Sequence, residues 1–214
     1  MADRRDCGSI PPIRPVAPVS AEPRLVSDFD WLRLHQLAVA EFDIRLRQVQ
    51  PHYWEASTPC DEWDVLELVN HNVVENLWVP LVLGGHDIDD VGGLDGNVVG
   101  SDPELAWEDA WRDAVEAFAG ADLDDTVRLA AGRTSVGDYL RQRTADLTVH
   151  AWDLAVGADI EDHLDDDLVH AVLAWATPLA GVLASLPALF EPPITPPQGA
   201  GPQERLLHLF GREP

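Results

Sequence analysis

At 214 residues, 46% apolar and 24% charged, the chain has the size and balance of one soluble globular domain with a sizeable core, or at most two small ones. Acidic residues outnumber basic ones 38 to 14 for a net charge of −24, and every basic residue is an arginine. That leaves no lysine for a Schiff base or a phosphate-binding loop, and no basic face for nucleic acid or an anionic membrane surface.

The first residues hold charges and five prolines (Pro11, Pro12, Pro15, Pro18 and Pro23) but no apolar signal-like segment. Residues 1–26 are therefore expected to form a flexible Pro-rich arm, and 27–214 the folded bundle. No apolar run reaches the roughly eighteen residues of a membrane span. Two cysteines, Cys7 and Cys60, are too few for a disulfide scaffold, and are read as reduced thiols of a cytoplasmic protein.

Asp28 to Gln50 has the helical period, with Trp31, Leu34, Leu37, Ala38, Phe42 and Leu46 recurring at three- and four-residue steps. A connection follows, and Asp64 with Glu67 forms a capping-box pattern opening a second helix to about Gly84, which Pro80 should kink or end a turn early. The Gly- and Asp-rich stretch 84–100 is a loop that cannot match the EF-hand pattern. Ser101 and Glu104 mark a further capping box before a helix from about 102 to 119, and 122–131 holds a short extended piece. A fourth helix is expected from about Ser135 to Gly157, a fifth from about Asp165 to Leu186, and a last turn or two from Gln203 to Phe210. Long helices with almost no strand signal predict an all-α bundle.

Two helices carry polar residues where burial would be costly. The second helix is apolar on almost every side, yet His71, Glu75 and Trp78 share one strip of it. On the fourth, Tyr139, Gln142, Arg143, Asp146, His150 and Asp153 form one polar stripe. Asp146 and His150, four apart, can reach one point beside the helix, the spacing at which one helical face chelates a metal. With His71 they would make a two-histidine, one-carboxylate set with open coordination positions. The competing readings are a hydrogen-bonded core histidine on the second helix and a solvent-facing stripe on the fourth. Cys60, at the start of the second helix, is a weaker candidate as a dipole-favoured nucleophile.

The segments TPCDEWDVLELVNHNVVENLWVP (58–80), LDGNVVGSDPELAW (94–107), DLTVHAWDLAVGAD (146–159) and RLLHLFGREP (205–214) resemble the actinobacterial metal-binding family related to mycothiol-dependent maleylpyruvate isomerase. The resemblance covers the chain from about Asp28 onward. It implies a DinB-like four-helix bundle, here with an extra C-terminal helix. It also implies a divalent metal held by His71, Asp146 and His150: zinc first, with nickel or iron as alternatives. The wider superfamily often carries histidine or glutamate at the place of Asp146, and the shorter aspartate must approach the ion more closely.

Glu75, Trp78, Arg143 and Asp153 would line the cavity or support the ligands, Arg143 as an anion anchor or as an ion-pair partner of Asp146. The expected chemistry is activation of a low-molecular-weight thiol, mycothiol, for addition to an electrophilic small molecule, as a transferase or isomerase. The isomerase itself carries a further C-terminal domain, whereas only about thirty residues follow the fifth helix here, which favours a transferase or a pathway-specific relative. The alternatives are a metal-dependent lyase, hydrolase or cyclase that uses no thiol, and a non-catalytic metal-binding stress protein. The fold is common to all three. A monomer or a homodimer fits the acidic surface. The absence of lysine, with many alanine, aspartate and arginine residues, fits a high-GC actinobacterial source.

Overall fold

The computed structural model describes residues 30–60, 63–86, 94, 96–129, 132–181 and 192–214. The expected N-terminal arm lies outside them. The described elements are α1 (Trp31–Leu46), α2 (Val65–Leu83), α3 (Pro103–Gly120), β1 (Thr126–Leu129), β2 (Gly132–Ser135), α4 (Val136–Gly157), α5 (Asp166–Ala176), a 3-10 turn at Thr177–Leu179, and α6 (Pro202–Leu209).

Side chains written into the sequence fix where the first five helices start. Asp30, Asp102, Ser135 and Asp165 each accept the backbone N–H three residues on. At α2 the full capping box forms: Asp64 accepts from the Glu67 N–H at 2.9 Å, and Glu67 accepts from the Asp64 N–H at 3.1 Å. Each such cap satisfies otherwise orphaned donors and contributes about 1 kcal/mol. The cap of α3 corrects the sequence expectation by one residue, because Asp102 rather than Ser101 accepts, with Pro103 in the first turn. Helix α2 continues through Pro80 to Leu83 and closes on Gly84, so the proline does not end it early.

Two expectations are extended or shortened. The extended piece near 122–131 is half of an antiparallel hairpin, with Thr126 opposite Ser135 and Leu129 opposite Gly132. The expected fifth helix leaves α geometry at Thr177, next to Pro178, and residues 182–186 of it lie outside the described residues.

Helices α1 and α4 pack together, α2 packs on α3, and α2 also touches α4, giving an all-α bundle with the hairpin at one end. Helix α6 docks on α5. Phe42 and Trp107 stack in the core with ring centroids 4.5 Å apart. The polar stripe of α4 faces inward: Tyr139, Gln142, Arg143, Asp146, His150 and Asp153 are all buried, which excludes the solvent-facing reading. Within α4, the hydroxyls of Thr144 and Thr148 donate to the Leu140 and Thr144 carbonyls at 2.7 and 2.6 Å, so these buried polar groups are satisfied by their own helix. At its end Gly157 lets the chain entering α2 pass closely: a Cβ there would lie 2.9 Å from methyl carbons of both Thr58 and Val65. No helix among the described residues is long and apolar enough to cross a membrane.

Candidate metal centre

Asn70 pins the loop that precedes α3 against α2. Its side chain donates to the Gly96 carbonyl at 2.9 Å and accepts from the Val98 N–H at 2.7 Å. One residue further along α2, His71 turns toward α4. Its Nε2 lies 3.6 Å from Asp146 Oδ2, and His150 Nε2 lies 3.4 Å from Asp146 Oδ1. One ligand atom from each of His71, Asp146 and His150 falls within 4.8 Å of the other two. The two imidazoles meet edge to face, with ring centroids 5.0 Å apart.

Protein partners surround this triad. Arg143, one turn before Asp146, donates Nη1 to Asp146 Oδ2 in a very short contact and to Glu75 Oε2 at 3.3 Å. Asp153 Oδ2 sits 2.9 Å from His150 Nδ1. Arg212 in turn donates Nε and Nη2 to the two oxygens of Asp153 at 3.0 and 2.9 Å. Trp63, just before α2, lays its ring over His71 at 4.4 Å and reaches 5.8 Å from His150.

The electrostatics follow from this packing. Burial opposes ionisation of Asp146, but the neighbouring His150 and Arg143 charges outweigh it and hold the carboxyl well below its usual range. Burial likewise opposes the cation of His150, and the Asp146 and Asp153 carboxylates overcome it, raising the imidazole to about 9. Asp153 is ionised against its burial by Arg212 and His150. A metal ion entering the triad must therefore displace a proton from His150, since only the neutral ring offers a lone pair.

The residues fit a divalent cation. His71 Nε2 is buried and has no hydrogen-bond partner, an arrangement that costs free energy unless something accepts its lone pair or proton. Two imidazoles and one carboxylate form a donor set that binds zinc and its neighbours in the first transition row while leaving positions open.

The structure brings His71, Asp146, His150, Glu75, Arg143 and Asp153 into one connected cluster. Trp78 stands half-buried on α2, and none of the cluster's hydrogen bonds or ion pairs among the described residues involves it. Cys60 is buried and disulfide-bonded, which corrects the expectation of a reduced thiol and removes it as a nucleophile. The cytoplasmic expectation loses that support.

Trp63 and Arg212 escaped the sequence reading. Trp63 belongs to the TPCDEW segment, read as a connection and as part of the family resemblance with no role for the tryptophan. Arg212 follows a glycine that ends a short apolar helix, a signal for a chain reversal but not for where the arginine points.

A helical bundle that brings two histidines and a carboxylate together from two of its helices carries a donor set that could hold a metal ion. Comparison with known proteins narrows the class. Residues 35–155 match the family model for the mycothiol maleylpyruvate isomerase N-terminal domain. The chain is 31% identical over 153 residues to two proteins from Mycobacterium tuberculosis, uncharacterized protein MT0763 (strain CDC 1551 / Oshkosh) and uncharacterized protein Rv0738 (strain H37Rv), covering 71% of this chain and 80% of each. Its fold is similar to the crystal structure of a histidine-to-alanine mutant of mycothiol-dependent maleylpyruvate isomerase, with a TM-score of 0.56, 13% identity, and coverage of 74% of this chain and 71% of that one. The chain belongs to the mycothiol maleylpyruvate isomerase N-terminal domain family.

Proposed function

We propose that this protein is a divalent-metal-dependent enzyme that activates a low-molecular-weight thiol, mycothiol, for addition to an electrophilic small molecule in a transferase or isomerase reaction. The observation that carries the reading is the convergence of His71, Asp146 and His150 around a buried histidine nitrogen that has no hydrogen-bond partner. Membership of a family whose description names mycothiol supports the thiol.

His71, Asp146 and His150 would hold the ion, and zinc suits the donor set best. When bound, such an ion lowers the pKa of a coordinated thiol so that the anion persists near neutrality. The remaining work falls to the chain. Asp153 accepts the Nδ1 proton of His150 and so keeps the Nε2 lone pair directed at the site. Arg143 keeps Asp146 anionic. The Trp63 ring lies against His71, with ring centroids 4.4 Å apart, and helps fix the imidazole's orientation.

The test is turnover of a panel of electrophiles by the zinc-loaded protein, with and without mycothiol, followed by mass spectrometry of the products. The reading expects product only when both metal and mycothiol are present, and none from His71→Ala or His150→Ala. Turnover that needs metal but ignores the thiol would transfer the assignment to lyase, hydrolase or cyclase chemistry.

A further inference from the structure

Trp63 owes its place beside the two imidazoles to the turn that ends in it. Its N–H donates to the Cys60 carbonyl at 2.9 Å. Its carbonyl accepts from the Thr58 hydroxyl at 2.8 Å and from the Thr58 N–H at 3.2 Å. The Thr58 hydroxyl in turn accepts from the Cys60 N–H at 3.2 Å. Both backbone polar groups of Trp63 are thus held by Thr58 and Cys60. Cys60 is itself 1% exposed and disulfide-bonded, and the sequence holds one other cysteine, Cys7.

The bridge therefore ties a remote part of the chain to the residue on which the Trp63 turn closes. A disulfide restrains the chain between its ends. A turn outside the helices, held by a few hydrogen bonds, is the kind of segment that opens first when such a restraint is removed. Without the bridge, those bonds and the packing of Cys60 alone would keep the Trp63 ring 4.4 Å from His71 and 5.8 Å from His150.

We propose that the Cys60 disulfide, with Cys7 as its other half, is a thiol-sensitive switch whose state passes through the Thr58–Trp63 turn to the Trp63 ring and so to the His71 and His150 rings. Opening it is thiol–disulfide exchange. A small thiolate displaces one protein sulfur and forms a mixed disulfide with the other. A second small thiolate attacks the first one's sulfur, freeing the remaining protein thiolate, and the two leave joined as their own disulfide. The bridge gains two electrons, and the protein thiolates take up the two protons that the small thiols gave up. The reductant is of the class that the proposed function already employs, a low-molecular-weight thiol. The movement of the rings needs no metal and stands apart from that reading. Its consequence for metal does rest on it: with Trp63 loosened, zinc affinity should fall about tenfold.

The experiment compares full-length, metal-free protein, prepared without reductant, before and after treatment with 2-mercaptoethanol. Alkylation with mass spectrometry reports the thiols, and nuclear magnetic resonance reports the histidine rings. The inference expects alkylated cysteines only after reduction, displaced His71 and His150 ring resonances, an unmoved His170 on α5, and weaker Overhauser contacts between the Trp63 and His71 rings. In Trp63→Leu, reduction should move His71 no further. Unchanged His71 and His150 rings in fully reduced protein overturn the inference. So do cysteines that alkylate before treatment, a bridge that excess thiol does not open, and an undiminished movement in Trp63→Leu. General unfolding on reduction also overturns it, because the bridge is then a staple and not a switch. If Trp63→Leu does not fold, the wild-type contacts between the two rings decide. Failure here leaves metal uptake untouched, whereas protein that binds no zinc overturns the metal reading and leaves the ring movement standing.

Discussion

Arg212 grips Asp153 with both ends of its guanidinium fork, at 3.0 and 2.9 Å, and Asp153 in turn meets His150 Nδ1 at 2.9 Å. The arginine reaches this buried position because of how α6 ends. The N–H of Arg212 donates to the Leu207 carbonyl and that of Gly211 to the His208 carbonyl, the paired bonds of a Schellman motif. Gly211 has φ +76°, which a glycine adopts without strain. A chain reversal at Gly211 thus positions a cation behind a candidate metal ligand.

Arg212→Ala should leave the buried Asp153 with His150 as its charged partner and cost up to about 3–5 kcal/mol of stability, the range for breaking a buried ion pair. If the cluster binds metal through His150, the same change should weaken zinc affinity about 10- to 100-fold, as loss of such supporting partners does. Urea unfolding and chelator competition read the two effects separately. A purely structural arginine would lower stability but leave zinc affinity, and the His150 Nδ1–H resonance, where they were.

Burial, aided by the Arg143 charge, lowers His35 to about 3. An unfolded histidine titrates near 6.5. The folded value is the lower one, so the unfolded chain binds the extra proton. The resulting stability is fully present above about pH 6.5 and is lost as pH falls toward 3. Between pH 6 and 4.5, unfolding free energy should fall by up to about 1.4 kcal/mol per pH unit from this residue. In the metal-free protein His150, raised rather than lowered, adds little slope there, because both states are largely protonated. Urea titrations of wild type and His35→Gln at pH 6.0, 5.3 and 4.5 should show a shallower slope in the variant. Equal slopes would place the pH sensitivity elsewhere.

Gly157→Ala inserts a methyl group where Thr58 and Val65 already stand 2.9 Å away. Both neighbours are packed, and the expected destabilisation is about 1–3 kcal/mol, seen as a lower midpoint in thermal unfolding. A neutral effect would mean that the segment entering α2 moves aside freely.

The helices were legible in the sequence because caps and apolar periodicity agree at Asp64, Ser135 and Asp165. The same signals placed Asp146 and His150 on one face of α4. What periodicity could not decide was which way the α4 stripe faced, since apolar residues flank it on both sides; only packing against α1 and α2 turns it inward. The second strand of the hairpin, Gly132–Ser135, was missed because its residues carry no alternating pattern. Arg212 lies 59 residues from Asp153 in sequence, and no local rule links the two. The engagement of Cys60 in a disulfide was equally unreadable, because cysteine count speaks to frameworks and not to a single bridge.

The most direct measurement is the metal content of the purified protein by elemental analysis, beside His71→Ala and His150→Ala. The account predicts about one equivalent of a divalent transition metal in the wild type and its loss in both variants. Wild-type protein prepared without chelators that holds no metal, and takes up none when zinc, nickel or iron is added, would contradict it. His71, Asp146 and His150 would then be a structural polar network.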